Sequence, residues 1–454
     1  MHYVIIGNSA AAVGAIESIR RLDRESPITV IAEETEHVYS RPLIAHLVAG
    51  EVGEAQMAYR PAGFYAEMNV TARLGERAVG VDYSRRRVTL AGGDEIGYDK
   101  LLLTTGTIVT RPPVLSQKLK GLVTFQTYAD AKNILTLLKA GKQKAVVVGA
   151  GLIGLRAAYA LQKAGAEVTV VEFLPRVLTR VLDAEASALV EKLLRESGLN
   201  VLTGRAVKEI LQKEGEVTGV ILDNGIELDC GILVAATGVT PDLTLAEGLA
   251  TNHGILVNEY FQTSYSNVYA AGDAAETRDL PRGEFRVNAN WPNAHAQGRI
   301  AGLNMAGRPT PYPGSLGMNT VTFGGVPVIS LGVFDPEAEE EKGYEVKIRK
   351  NPDRFIYQKL VFKENRLKGA IFIGDLGHCG AVKDMITEQL LTGIIKDAIL
   401  EEKYQLYGFL RKRRQEKLEG KQIRWPESYS SAQKYVKSFN EETWTERERN
   451  LRPW

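Results

Sequence analysis

Cysteine is nearly absent: Cys230 and Cys379 are the only two among 454 residues. Two thiols cannot build a disulfide scaffold or ligate an iron–sulfur cluster within the chain, so stability has to come from apolar cores. Long apolar runs are missing too. None reaches the ~18 residues that a membrane-spanning helix needs. Excess charge of one sign is also lacking. The 56 Lys and Arg balance 55 Asp and Glu to a net +1, so no overall field selects nucleic acid or a lipid surface. The first apolar run begins at Tyr3, which leaves no room for a signal peptide, and a cytoplasmic location is expected.

What is abundant is hydrophobic residues, at 44%, and glycine, at 44 residues. The length suits about two to three domains. The glycines fall in a telling pattern. Tyr3-Val4-Ile5-Ile6-Gly7-Asn8-Ser9-Ala10-Ala11-Ala12 and Ala145-Val146-Val147-Val148-Gly149-Ala150-Gly151-Leu152-Ile153-Gly154 each run from an apolar, β-branched stretch into an Ala-rich helical one. Each is followed by a second apolar run ending in acid, at Glu33 and at Glu172. This is the strand–turn–helix–strand plan of a dinucleotide site. The first Gly makes the tight turn, the second admits a pyrophosphate, the third lets the helix pack, and the acid receives a ribose hydroxyl. The helix N-terminus offers free N–H groups to phosphate. The second copy has all three glycines; the first has Ser9 and Ala12 at the second and third places. Two such units suggest a protein that holds two dinucleotides and passes electrons between them.

The predicted fold is α/β, with two Rossmann-like domains, one inserted in the other, a C-terminal α+β domain and a charged tail. The first domain takes residues 1–115 and 243–315, the insertion 116–242, the third domain 316–400 and the tail 401–454. Each Rossmann unit continues through a β-meander into a strand ending at Gly, as Thr104-Thr105-Gly106 and Ala236-Thr237-Gly238. Helices are predicted from Asp130 to Leu138 and from Asp183 to Ser197.

Together with Tyr269-Ala270-Ala271-Gly272-Asp273, these motifs resemble the FAD- and NAD(P)-dependent pyridine nucleotide–disulfide oxidoreductases. Tyr39-Ser40-Arg41-Pro42-Leu43 is similar to the branch of rubredoxin reductases, NADH oxidases and the flavin part of nitrite reductases. The resemblance covers roughly residues 1–395 and implies FAD and NAD(H) as cofactors. It places Gly7, Ser9 and Ala12 on the FAD pyrophosphate and Glu33 on its adenosine ribose. Arg41 and Pro42 would lie near the phosphates, Val79 at the adenine end, and Thr105 and Gly106 along the cofactor. Gly272 and Asp273 would meet the ribityl chain. Gly149, Gly151, Leu152, Ile153 and Gly154 would hold NAD, with Glu172 on its ribose and Gly238 on its phosphate side. A carboxylate at 172 disfavours the 2′-phosphate of NADP(H), whereas Arg176 weakens that preference.

One departure stands out. Many relatives carry a redox-active Cys near the flavin, but Arg41-Pro42-Leu43-Ile44-Ala45-His46-Leu47 has none, which argues against thiol–disulfide exchange. No side-chain catalyst and no metal site is expected; hydride passes from nicotinamide to flavin by alignment of the two rings. His46 is either near the flavin or a surface residue. Cys379 and Cys230 read as small buried hydrophobes. His295, in Trp291-Pro292-Asn293-Ala294-His295, sits at a helix start that the resemblance brings to the flavin. The electron acceptor is open. A rubredoxin-like or iron–sulfur partner or subunit is favoured, with oxygen or a small acceptor as an alternative and a structural FAD-binding subunit as another. An oligomer or a complex is expected, and the tail, with Arg411-Lys412-Arg413-Arg414 and three tryptophans, suits either a partner or its own domain.

Overall fold

The computed structural model describes residues 1–339 and 342–390, with Thr392, Lys396, Ile399, Leu400 and Gln415. Apart from Gln415, the charged tail lies outside the described residues. The chain divides into two compact units. One holds residues 1–279 and 283–317; the other holds Leu280–Arg282 and the described residues from Met318 onward.

The first unit begins with β1 (Tyr3–Ile6), α1 (Ala10–Leu22), β2 (Ile28–Ala32), β3 (Val70–Leu74) and β4 (Lys100–Leu103). It leaves through β5 (Thr107–Val109) into β6 (Leu122–Val123), α2 (Tyr128–Lys139), β7 (Lys144–Val148), α3 (Leu152–Lys163), β8 (Glu167–Glu172), α4 (Ala184–Glu196), β9 (Asn200–Thr203) and β10 (Ile232–Ala235). It returns along β11 (Val239–Pro241) to β12 (Val268–Ala270) and α5 (Trp291–Met305). Two separate parallel sheets result, in the orders β12-β4-β1-β2-β3 and β9-β8-β7-β10-β6. Parallel strands covered on both faces read as unbroken apolar runs, and every residue of β1, β2 and β10 is buried. Entry and exit of the second sheet are paired: β5 and β11 run antiparallel, with Val109 opposite Val239.

The two expected helices form as α2 and α4. Thr127 and Asp130 close a capping box on α2, and Asp183 caps α4 by accepting from Ala186 N–H at 2.9 Å. Helices α1 and α5 cross in close contact. A Cβ on Gly298 would lie 1.9 Å from the Ala11 carbonyl oxygen, and one on Gly302 2.5 Å from that of Ala15. Only glycine fits that seam.

The second unit is an antiparallel sheet of β13 (Met318–Phe323), β14 (Val326–Gly332), β15 (Glu345–Asn351), β16 (Ile356–Lys363) and β17 (Arg366–Ile373), in the order β13-β14-β17-β16-β15, with α6 (Cys379–Thr387) packed on β17. Within it the half-buried Arg282 and Glu339 side chains pair at 2.5 Å. No helix among the described residues is long and apolar enough to cross a membrane.

Candidate functional site

The two glycine turns share one geometry. Gly7 has φ +113° and Gly149 +111°, values that an L side chain rarely adopts. A Cβ on Gly7 would press within 2.2 Å of the Thr104 carbonyl, and one on Gly149 within 2.3 Å of the Ala236 carbonyl. Helices α1 and α3 then start at Ser9 and Gly151. Neither start has a side-chain cap, and neither first turn carries an acid. Uncapped N–H groups at a positive dipole end, with no carboxylate to satisfy them, fit a phosphate.

Both turns open into one continuous cleft of about 1700 Å³. Fifteen of the eighteen residues singled out from the sequence line it. They are Gly7, Ser9, Glu33, Arg41, Pro42, Thr105, Gly106, Gly149, Gly151, Leu152, Ile153, Glu172, Gly238, Gly272 and Asp273. Ala12, Val79 and Gly154 do not. Ala12 is fully buried in α1, where it belongs to the core. Gly154 packs its helix on the turn, since a Cβ there would sit 1.9 Å from the Gly149 carbonyl. Val79 is half exposed, and its neighbour Ala78 reaches the cleft instead.

The two acids are not equivalent. Gly7 N–H bonds the Ile31 carbonyl and Gly149 N–H bonds the Val171 carbonyl, both at 2.8 Å. In that register Ala32 takes the place of Glu172, and Glu33 the place of Phe173. Glu172 turns back on its own glycine turn, accepting from Ala150 N–H at 2.5 Å and Leu174 N–H at 2.8 Å. Glu33 points outward, 71% exposed, with Arg77 3.9 Å away.

In the first half the charge is concentrated around Arg41. Its guanidinium pairs with Glu34 and donates to the Gln126 carbonyl at 2.9 Å, and it lies over the Tyr39 ring. Tyr39 hydroxyl donates to Glu34 at 2.6 Å. Asp273 sits deeper. Burial pushes its carboxyl above the usual carboxylate range, Arg41 pulls it back, and it makes no hydrogen bond to another described residue. A half-buried carboxylate that lines the cleft and accepts no hydrogen bond from the described residues fits a polyhydroxyl ligand that the cleft would supply. Gly106 and Gly238, both at positive φ, face open space.

Arg156 joins the two halves and was not foreseen. It lines the cleft from α3 and donates to His46 Nε2 at 3.1 Å. Arginine can only donate, so Nε2 accepts and the His46 proton sits on Nδ1, facing Glu51 at 2.5 Å. Tyr159 hydroxyl meets the other Glu51 oxygen at 3.2 Å. Burial lowers the Arg156 pKa, whereas the His46 hydrogen bond lowers that of Glu51. The one visible signal was a single charge inside the otherwise apolar stretch Leu152-Ile153-Gly154-Leu155-Arg156-Ala157-Ala158. His46 thus belongs to the bridge between halves rather than to the cleft lining.

The helix start at α5 does reach the cleft through Asn290, Trp291 and Ala294. His295 does not line it; the ring is half-buried 3.8 Å from Glu17, and burial lowers its pKa. No cysteine lines the cleft. Cys230 lies in the core of the insertion, where burial pushes its thiol up to about 12, and burial raises Cys379 as well. Among the described residues no cluster of His, Cys, Asp and Glu is arranged for a metal ion.

The family model described as pyridine nucleotide-disulphide oxidoreductase matches residues 1–298. The chain belongs to that family. Its members are FAD-dependent oxidoreductases of reduced nicotinamide nucleotides, and this chain is one. Residues 318–390 match the model of the rubredoxin NAD+ reductase C-terminal domain. The epsilon subunit of NADH-dependent phenylglyoxylate dehydrogenase from Aromatoleum evansii is 33% identical over 85% of this chain and 91% of that protein. Rubredoxin-NAD(+) reductase from Pseudomonas putida is 30% identical over 69% of this chain and 82% of its own length. Among solved structures, the putidaredoxin reductase of a covalent complex with putidaredoxin superposes with a TM-score of 0.82 at 25% identity, covering 91% of this chain and 99% of the other.

Proposed function

We propose that this protein draws hydride from NADH onto bound FAD and passes the electrons singly to a rubredoxin-like or iron–sulfur protein, either a separate partner or a subunit of the same complex. The observation that carries the reading is the single cleft fed by two uncapped glycine turns and lined by no thiol. Bound there, FAD supplies hydride acceptance and one-electron release. FAD is assigned to residues 1–115 and 243–315, NAD(H) to 116–242, and a supporting α+β domain to 316–400.

The chain's own groups position and neutralise. N–H groups at Ser9 and Gly151 face the pyrophosphates, with Arg41 adding charge on the FAD side. Glu172, held by two backbone N–H groups, presents its remaining lone pairs to a ribose and opposes a 2′-phosphate, so NADH is favoured over NADPH. Glu33, one residue beyond the end of β2 and beside Arg77, serves the FAD adenosine. Asp273 takes ribityl hydroxyls, while Thr105, Gly106 and Gly238 give the cofactors room. The Arg156–His46–Glu51 bridge keeps the two halves in register and leaves the proton on His46 Nδ1.

A one-electron protein acceptor is supported by the absence of a cleft thiol, by the C-terminal domain match and by relatives that are a rubredoxin reductase and a complex subunit. A cytoplasmic setting, where NADH is available, belongs to the same reading. Anaerobic titration with NADH, read by the visible flavin absorbance, tests the reading. Bleaching with slow recovery in air and fast recovery with rubredoxin is expected. Immediate recovery in air identifies an oxidase instead. Failure to bleach means that the nicotinamide site is not used.

A further inference from the structure

Phe173 is the most exposed of the large hydrophobic side chains among the described residues, at 74%. A lone exposed hydrophobe is ordinary, whereas a contiguous exposed apolar patch marks a binding surface, so its surroundings matter. The ring lines the dinucleotide cleft, immediately after Glu172. Its backbone is fixed on both sides. Arg205 N–H bonds the Glu172 carbonyl at 2.9 Å, and Gly204 N–H bonds the Leu174 carbonyl at 3.0 Å. Leu174 N–H also bonds the Glu172 carboxylate at 2.8 Å. Exposure here is held by the chain's own ladder rather than by a loose loop. Ile153 and Leu174, at 39% and 38% exposed, line the same cleft and extend the apolar surface. Turn geometry does not demand an aromatic. At the equivalent place in the first half stands Glu33, a charged side chain in the same backbone register.

We propose that Phe173 is the stacking platform for the adenine of the nicotinamide nucleotide. This rests on the assignment of NAD(H) to residues 116–242. Glu172 receives the adenosine ribose, and the next residue presents a flat π face where the base attached to that ribose must lie. A ring carried on a backbone fixed before binding has only its own two side-chain torsions to settle on stacking. The adenine half is thereby recognised without a hydrogen bond to its edge. Affinity for the whole dinucleotide then depends on the base, and a nicotinamide mononucleotide is a poor ligand.

The probe is ADP-ribose, which carries the adenine half alone, titrated by calorimetry into FAD-loaded protein. Phe173→Ala should raise its dissociation constant roughly tenfold, as expected for one lost base–aromatic stack. Phe173→Trp should restore wild-type affinity, and Phe173→Leu should fall between. The side chain is exposed, so the variants fold as wild type does, and unchanged melting temperatures check this. Equal affinity of the wild-type and Phe173→Ala proteins overturns the platform while leaving the nucleotide site intact. No binding of ADP-ribose to the wild-type protein overturns the site and the platform together.

Discussion

Replacing Gly298 by alanine probes the seam that fixes α1, and with it the first phosphate-facing turn. A Cβ at 298 would lie 1.9 Å from the Ala11 carbonyl oxygen and 2.6 Å from its carbon, where ordinary contact begins at 3.4 Å. The obstacle is helix backbone on both sides, so no rotamer relieves it; the helices must separate by more than an ångström. Gly302 and Gly14 sit in the same seam, 2.5 Å and 2.4 Å from opposing carbonyls by the same measure, so tilting about one contact closes another. Overpacking of this kind costs about 3 kcal/mol or more. Alanine returns about 1 kcal/mol of helix propensity. The net loss is about 2 kcal/mol, which lowers the melting temperature by roughly 4–8 °C in a domain of this size. Because the N–H groups of the first turn after Ser9 move with α1, FAD content falls too. Calorimetry of the FAD-loaded protein, with flavin-to-protein absorbance, reads both. Gly80→Ala is the control, since nothing lies within 4 Å of its Cβ position. A Gly298→Ala protein that melts with wild type and keeps its full flavin refutes the reasoning.

Asp273→Asn separates the cost of a partly desolvated charge from its use. Burial raises the folded carboxyl pKa above its unfolded value, so the stability that this group contributes is present below the unfolded value, roughly pH 4, and is lost as pH rises through the folded value. In FAD-free protein the Asn variant should therefore melt above wild type near neutrality, with the gap closing in acid, yet it should bind FAD more weakly in an equilibrium titration. Glu172→Ala should raise the Michaelis constant for NADH by about tenfold with little change in kcat, the signature of a lost binding interaction; unchanged steady-state kinetics would remove Glu172 from the site. The double variant Cys230→Ser, Cys379→Ser should keep NADH-to-dye activity, measured before and after iodoacetamide, and a loss of activity would reinstate a thiol mechanism.

The sheets of the first unit were legible because each strand and turn is written locally. Apolar runs such as Val146-Val147-Val148 and the glycines after them need no distant information. The acids were read less well. Counting residues from Gly7 and Gly149 treats Glu33 and Glu172 as counterparts, and only the hydrogen bonds of Ile31 and Val171 reveal the one-residue slip that turns Glu33 outward. Ala12 and Gly154 stand at the third motif position, read both as letting the helix pack and as part of the cofactor sites; the helix packing holds both, whereas neither lines the cleft. The bridge of His46, Glu51, Arg156 and Tyr159 could not be read, since it joins segments more than 100 residues apart. Likewise, the glycines of α5 become intelligible only against α1, whose position depends on the completed sheet.

That dependence sets an order of assembly on the ribosome. Strand β4 finds its neighbour β12 only once Ala270 has been made, and α1 finds α5 only near Met305. Every strand of the inserted sheet, from Leu122 to Ala235, emerges earlier and pairs only within itself. The inserted sheet can therefore close while the first sheet, already paired from β3 to β4, still lacks β12 on the outer edge of β4 and α5 on α1, and it is that open edge and helix face that a chaperone would have to shield.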